Sequence, residues 1–208
     1  MAVDLSNVNA ASEVFETVSK KTYIDVLINN AGSGIQGEHT DIKIDEINKL
    51  IGLNITTLTH LCSLLGNEMK KNGGGHILNV SSTGAYQPAP YFAAYAAAKS
   101  YVLNFSEALA KELEDYNVVV TCLSPGLTDT NFFNAAGIGD KASGFWANSA
   151  RMNPRKVANI GVKALFKKKL SIIPGFMNSS MIFSNRLVPR KTSANIGKKL
   201  VKKAAEAK

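Results

Sequence analysis

Short apolar runs alternate with longer segments of helical periodicity along this chain. The short runs are bounded by Gly, Pro or Asn, and they predict strands at residues 24–28, 76–80, 118–123 and 170–173. The spacing of apolar residues between these runs predicts helices at residues 42–71, 93–114 and 153–168. Alternating strands and helices build a parallel sheet covered on both faces, so we expect one α/β domain with a doubly wound parallel sheet.

Polar and turn-forming residues follow three of the predicted strands. Asn29-Asn30-Ala31-Gly32, Ser82 and Pro125-Gly126 each come at the end of an apolar run. The carboxyl ends of parallel strands share one edge of the sheet, where open α/β sheets bind ligands. The long irregular stretch of residues 128–152 leaves from the same edge, and its length is typical of a functional loop such as a lid. We therefore expect the functional site at this edge.

Residues 32–37 match the G-x-G-x-x-G pattern of dinucleotide-binding loops. The context does not fit, because residues 38–41 separate the third glycine from the predicted helix. The strand at residues 76–80 also lacks the terminal Asp or Glu that would hold a ribose. We interpret the segment as a flexible glycine turn and keep the literal fingerprint as the lesser alternative.

The Ala-rich predicted helix carries Tyr95 and Lys99, which are four residues apart and therefore share one helix face. A nearby ammonium favours the phenolate and lowers the tyrosine pKa from about 10, which would make Tyr95 an acid or base near neutral pH. This spacing alone also fits an exposed tyrosine beside a surface lysine. Ser82, before this helix, and Asn54, in the preceding helix, add polar groups that favour a site.

Taken in order, these residues resemble the motifs of classical short-chain dehydrogenases/reductases. The resemblance extends over residues 3–173, with a weaker similarity to the DltE-like bacterial group. It implies a Rossmann-like domain and an NAD(P)-dependent oxidoreductase that interconverts an alcohol and a carbonyl. The matching positions are Asn29, Asn30, Ala31, Gly32, Asn54, Ser82, Tyr95, Lys99, Pro125, Gly126 and Thr130.

The resemblance implies a role for each of four catalytic residues. Tyr95 would exchange a proton with the substrate oxygen, and Lys99 would lower the pKa of Tyr95 and hold the nicotinamide ribose. Ser82 would hydrogen-bond the substrate oxygen as charge develops there. Asn54 would hold a water molecule in a proton relay that reaches Lys99.

The resemblance also implies a cofactor site for NAD(P), with NADP slightly favoured over NAD. Asp4 would contact adenine, residues 29–32 would pack beside the adenosine ribose, and the segment after residue 124 would border the nicotinamide and its phosphates. The expected cofactor-binding residues are Asp4, Asn29, Asn30, Ala31, Gly32, Tyr95, Lys99, Pro125, Gly126, Thr128 and Thr130.

The family's glycine-rich phosphate loop, Thr-Gly-x-x-x-Gly-x-Gly, is absent from this sequence. Residues 3–5 resemble the end of the family's third strand, so we expect an N-terminally truncated sheet that lacks two βα units, about 60 residues. The strand at residues 24–28 would then be an exposed edge. Either the start of the chain was assigned too late, or the chain is a non-catalytic remnant. The survival of Asn54, Ser82, Tyr95 and Lys99 favours the late start.

The net charge of +8 conceals two unlike parts. Residues 1–150 hold nine lysines against fifteen acidic residues, whereas residues 151–208 hold fifteen basic residues against Glu206 alone. We expect a domain like that of the short-chain dehydrogenases/reductases at residues 1–185 and a basic tail at residues 186–208. The tail could form a solvated helix that closes the substrate pocket, or it could bind an anionic membrane surface as a binding module. Contact with nucleic acid is the least favoured alternative, because no recognition motif accompanies the charge.

Composition excludes several classes of protein. No apolar run reaches the ~18 residues of a membrane-spanning helix, and the first residues do not form a secretory signal. Cys62 and Cys122 lack the spacing of a disulfide framework or a zinc site, so we expect buried free thiols and no metal site. Free thiols fit a cytoplasmic protein, and a peripheral position at the membrane surface is the alternative. Phe132, Phe133 and Trp146 in the predicted lid favour an apolar or acyl small-molecule substrate. The family resemblance implies a homo-oligomer.

Overall fold

A computed structural model describes residues 1–136 and 151–206, with the backbone alone for Phe133 and residues 200–206. The strands are β1 Val26–Asn29, β2 Gly75–Val80, β3 Val118–Leu123 and β4 Ser171–Ile172. The helices are α1 Ala10–Ser19, α2 Ile44–Ile51, α3 Thr57–Lys71, α4 Ala93–Leu113, α5 Phe132–Ala135, α6 Pro154–Phe166, α7 Phe176–Asn185 and α8 Arg190–Glu206. Short 3-10 turns lie at His39–Asp41, Thr83–Tyr86 and Glu114–Tyr116.

The four strands form one parallel sheet in the order β1-β2-β3-β4. Successive side chains of β2 point to opposite faces, as the two-residue period of a strand requires. Ile77 packs on one face with residues of α3 and α4, and Leu78 packs on the other with residues of α6. Helices therefore cover both faces of the sheet, which confirms the predicted doubly wound architecture.

The N-terminal region of the structure tests two expectations from the sequence. Within the described residues β1 pairs only with β2, so its outer edge is exposed, as predicted for residues 24–28. The expected strand end at residues 3–5 is wrong, because that segment forms a turn. The Asp4 carboxylate accepts hydrogen bonds from the Ser6 backbone N–H at 3.0 Å and from the Ser6 hydroxyl at 2.7 Å, and this turn leads into α1.

The predicted helix at residues 42–71 consists of α2 and α3, joined by a π-helical turn at Gly52–Thr56. A π-turn inserts one extra residue per turn and is frequent at functional sites. Helix α1, which the sequence analysis did not predict, packs against α3 through Ala11, Leu61 and Leu65. The predicted helices at residues 93–114 and 153–168 correspond to α4 and α6 within three residues.

The C-terminal region folds back over the carboxyl edge of the sheet. In α7, Ile182 is buried and Asn185 contacts Gln87 of the loop that precedes α4. In α8, Gly197 lies so close to the same loop that an added Cβ would stand 3.3 Å from Pro90. No helix among residues 1–136 and 151–206 has the length and apolar character needed to cross a membrane. Cys62 and Cys122 are free and buried, as predicted.

Candidate active site

Four predicted residues come together where β2 ends and α4 begins. The strand delivers Ser82 at the edge of the sheet, and the Ser82 hydroxyl accepts a hydrogen bond from the Gly84 N–H at 3.1 Å. The same side chain hydrogen-bonds Tyr95, which lies in the first turn of α4. Ser82 and Tyr95 are therefore direct neighbours at this end of the sheet.

Lys99 lies one turn after Tyr95 on α4 and is buried. Its ammonium donates a hydrogen bond to the Val80 carbonyl at 2.9 Å, and its own carbonyl accepts one from the Ser81 hydroxyl at 2.7 Å. Burial lowers the pKa of Lys99 to about 8, because the charged ammonium loses its hydration. The end of β2 thus fixes this lysine at both its backbone and its tip.

The electrostatics of Tyr95 differ from the sequence-based expectation. Burial raises the pKa of the phenol above 10, and the hydrogen bond from Ser82 only partly opposes that rise. Lys99 does not produce the expected lowering: its Nζ lies 5.9 Å from the centre of the Tyr95 ring and donates to Val80 instead. The expectation of a lowered pKa is therefore wrong, and Tyr95 is a neutral phenol at neutral pH.

Asn54 is positioned by the π-turn between α2 and α3. The turn directs its side chain inward, where the amide NH₂ donates to the carbonyls of Ser33 and Leu50, both at 3.0 Å. Its Oδ1 is buried and has no hydrogen-bond partner among the described residues. A buried carbonyl oxygen without a partner is costly, so this atom indicates a place for a water molecule or a ligand hydroxyl.

Gly32 forms the wall between Asn54 and Lys99. A Cβ at this position would stand 2.9 Å from Asn54 Oδ1 and 3.2 Å from Lys99 Nζ, so any side chain would displace both groups. The absence of a side chain lets this loop pass in close contact with one buried acceptor and one ammonium. Both groups can bond to hydroxyls, so a ligand hydroxyl that reaches this point would find a donor and an acceptor side by side.

The remaining residues of the 29–32 segment are divided between core and surface. The Asn29 amide donates to Asn79 Oδ1 at 2.8 Å inside the core, so its side chain does not face the edge. Asn30, Ala31 and Gly32 are exposed. Residues 32–36 form irregular backbone, no helix begins at Gly37, and the following 3-10 turn starts at His39, so the glycine pattern lacks the helix that a dinucleotide-binding loop opens.

The segment after β3 contacts the same site. The Pro125 carbonyl accepts a hydrogen bond from the Thr83 N–H at 2.8 Å, which ties this loop to the Ser82 turn. The Thr128 hydroxyl donates to the Gly126 carbonyl at 3.0 Å, and the Thr130 hydroxyl accepts from the Phe132 N–H at 3.4 Å. Pro125, Gly126 and Thr128 are half-buried, whereas Thr130 is exposed.

The predicted lid is joined at its base. Thr128 and Met152 form a parallel bridge, with the Met152 N–H donating to the Leu127 carbonyl at 2.8 Å. Inside this segment the Phe132 ring lies 5.3 Å from the Tyr95 ring, between centres. The lid thus brings an apolar side chain to the proposed reacting group. Trp146 and the side chain of Phe133 lie outside the described residues.

A family model described as short chain dehydrogenase matches residues 1–141, about two thirds of the chain. The chain belongs to the short-chain dehydrogenase family. The match includes Asn54, Ser82, Tyr95 and Lys99.

Curated relatives of this short-chain dehydrogenase carry oxidoreductase names. The chain is 33% identical over 181 residues to "Probable oxidoreductase EphD" of Mycobacterium tuberculosis, covering 80% of this chain and 31% of that protein. It is 32% identical over 141 residues to "3-ketodihydrosphingosine reductase" of Bacteroides thetaiotaomicron, covering 67% of this chain and 52% of that protein. The chain thus spans about a third to a half of the length of these two relatives.

Solved structures of similar fold hold nicotinamide cofactors. A short-chain dehydrogenase from Sphingobium yanoikuyae in complex with NADPH has a TM-score of 0.76 and 25% identity, and covers 89% of this chain and 72% of that one. A 3-ketoacyl-(acyl-carrier-protein) reductase from Brucella melitensis, complexed with NADH, has a TM-score of 0.70 and 26% identity, with coverages of 84% and 76%. These relatives support a nicotinamide cofactor in general without selecting NADP or NAD.

Sequence reasoning missed two parts of the short-chain dehydrogenase site. Asn79 of β2 accepts from Asn29 and donates to the Ser106 hydroxyl at 3.0 Å, so a buried polar network anchors the end of β1. An Asn in the middle of an apolar strand was the available signal. Asn178 of α7 packs so tightly on Gly126 that a Cβ there would stand 2.5 Å from its amide, and no local pattern indicated this contact.

Proposed function

We propose that this chain carries the catalytic centre of an NAD(P)-dependent oxidoreductase that interconverts an alcohol and a carbonyl. The observation that carries the proposal is the convergence of Asn54 Oδ1 and Lys99 Nζ on Gly32, beside the Ser82–Tyr95 pair. The bound nicotinamide would supply or accept the hydride, and the protein supplies position and proton transfer.

Each catalytic side chain has a task that its environment supports. Because burial raises the pKa of Tyr95, its phenol holds a proton at neutral pH and can donate that proton to a carbonyl oxygen. Ser82 hydrogen-bonds the same oxygen as negative charge develops on it. Lys99 binds the nicotinamide ribose from its buried position. Asn54 offers its unpartnered Oδ1 to the water that returns a proton towards Lys99.

We propose that fewer residues contact the cofactor than the family resemblance implies. We propose contacts from Gly32, which lies against Lys99, and from Tyr95 on the same helix face as Lys99, with further contacts from Pro125, Gly126 and Thr128 in the loop that is tied to the Ser82 turn. Asn29 acts by anchoring the loop through Asn79, since its side chain is committed to the core. Contacts from Asp4, Asn30, Ala31 and Thr130 stay predictions, as does the slight preference for NADP.

The substrate we propose is apolar or acyl. The rings of Phe92 and Phe132 lie 6.3 and 5.3 Å from that of Tyr95, and Ala136 completes the apolar cluster. The names of two relatives, a 3-ketodihydrosphingosine reductase and a 3-ketoacyl-(acyl-carrier-protein) reductase, point to similar chemistry. An apolar wall beside the proton donor favours substrates that gain from losing contact with water.

A turnover screen tests this substrate class. With NADPH or NADH, the oxidation of the nicotinamide is followed for a series of ketones of increasing chain length and for small charged oxo-acids. We expect kcat/KM to rise with chain length, and Phe132→Ala to lower it by about tenfold for the longest ketone, because that wall is removed. Phe105→Ala, further along α4 in a different apolar cluster, is the matched control. A preference for small charged substrates would contradict the apolar assignment.

The exposed part of α4 and the two thiols bear on assembly and compartment. We propose a homo-oligomer formed through the long helices, where Tyr101 of α4 is exposed, stacked on Phe105 and joined to Thr59 at 3.0 Å. We also propose a cytoplasmic location, which the free thiols of Cys62 and Cys122 support.

A further inference from the structure

Helix α7 has two opposite faces of very different character. Asn178, Ile182 and Asn185, spaced by four and three residues, face the domain: Asn178 contacts Gly126, Ile182 is buried, and Asn185 contacts Gln87. At 3.6 residues per turn, positions 176, 183 and 187 point to the opposite side. Helix α7 packs on the domain through one side, so its opposite side is available to bind a partner.

The outer face of α7 is apolar and open to solvent. Phe176 is 86% exposed, Phe183 is 66% exposed and Leu187, in the turn after the helix, is 77% exposed. Met177 beside them is 81% exposed. Single exposed apolar residues are ordinary, but four large ones on adjoining turns form a patch of the kind that marks an interaction site.

Basic residues adjoin this patch and continue along α8. Arg186 and Arg190 flank Leu187 in the chain, and both line a cleft of about 290 Å³ between α7, α8 and the loop at Gln87. Along α8, Lys191, Lys198 and Lys199 are exposed. Residues 151–208 contain fifteen basic residues and one acidic residue, so this part of the chain is strongly basic.

We propose that α7 and the start of α8 dock this protein on an anionic lipid bilayer. Aromatic and aliphatic side chains enter the region between headgroups and acyl chains, and arginine and lysine bind the lipid phosphates. A nucleic acid would use the basic residues but not the exposed Phe176, Phe183 and Leu187. This inference depends only on the surface of α7 and α8, and it stands or fails independently of the proposed catalysis.

Vesicle co-sedimentation of the full chain tests the proposal. We expect binding to phosphatidylcholine vesicles that contain phosphatidylglycerol, little binding to phosphatidylcholine alone, and release by high salt. Changing Phe176, Phe183 and Leu187 together to Ser should weaken binding by more than about tenfold, because the inserted apolar area is lost. The matched control is Val8→Ser with Ile44→Ser, which removes apolar side chains of similar exposure elsewhere.

A second set of variants tests how much the basic residues contribute to vesicle binding. Arg186→Glu with Arg190→Glu should weaken binding by more than about tenfold, whereas Arg155→Glu with Lys156→Glu, the same change of charge on α6, should have a much smaller effect. Absence of binding to anionic vesicles by the folded chain would overturn the proposal. So would equal effects of the test and control variants, or a chain whose α7 face is buried in a dimer that the triple Ser variant dissociates in size-exclusion chromatography.

Discussion

Replacing Tyr95 with phenylalanine should lower kcat by about 10²–10⁴-fold, the range for loss of a general acid. The change removes the hydroxyl that Ser82 hydrogen-bonds and leaves the ring against Phe92 and Phe132. Because the ring contacts remain, the fold and the affinity for nucleotide should hardly change. The measurement is steady-state turnover of the best ketone from the screen, with thermal unfolding as a check on the fold.

The matched control for this variant is Tyr86→Phe. Tyr86 is a second partly buried tyrosine near the site, and its hydroxyl makes a long hydrogen bond, 3.5 Å, to the Ser124 hydroxyl. Its loss should change kcat by no more than a few fold. If Tyr95→Phe retained activity comparable to that of Tyr86→Phe, the proton-transfer role of Tyr95 would be untenable.

Replacing Lys99 with methionine should change the stability of the protein in a pH-dependent way, with the variant faring best against the parent at neutral pH and losing that relative advantage in alkaline solution. The pKa of Lys99 is about 8 in the folded chain against 10.5 for a free lysine, because burial penalises the ammonium. Below pH 8 both states are protonated, and the folded protein bears the full cost, about 3 kcal/mol at 1.36 kcal/mol per pKa unit. Between pH 8 and 10.5 the unfolded chain binds more protons, so the stability of the parent rises.

Denaturant unfolding from pH 7 to pH 11 measures this effect as the difference between variant and parent. The methionine also leaves the Val80 carbonyl without its donor, but that loss does not vary with pH and only offsets the difference by a constant. Lys111→Met, at an exposed position of the same helix, is the control and should give a small, flat difference. A flat difference for Lys99→Met would show that the ammonium does not lose its hydration on folding.

Local sequence pattern was sufficient for the sheet and for the long helices. Residues 76–80 and 118–123 alternate or run apolar between turn formers, and they form β2 and β3 at those positions. Helix α1 escaped prediction although Ala11, Val14 and Val18 carry helical spacing. The turn at Asp4 was mistaken for a strand end because resemblance to the family took the place of local reasoning, and the carboxylate–serine hydrogen bonds decide otherwise.

The sequence predicted which residues lie together at the site better than it predicted their ionisation. Ser82, Tyr95 and Lys99 lie together because strand ends and helix periodicity fix them. Asn54 is buried through a π-turn that no sequence pattern indicates. The pKa of Tyr95 depends on burial and on the direction of the Lys99 side chain, both of which are tertiary properties, so spacing alone predicted the wrong direction.

Fluorescence titration of the purified chain with NADPH and with NADH tests most directly whether the site beside Gly32 receives a nicotinamide nucleotide. We expect saturable binding, weakened by at least about tenfold in Gly32→Ala, whose Cβ would lie 2.9 Å from Asn54 Oδ1 and 3.2 Å from Lys99 Nζ. Gly37→Ala, where the Cβ meets Ile42 at an ordinary 3.7 Å, should bind like the parent. A folded chain that saturates with neither nucleotide, or two alanine variants that bind equally, would contradict the account.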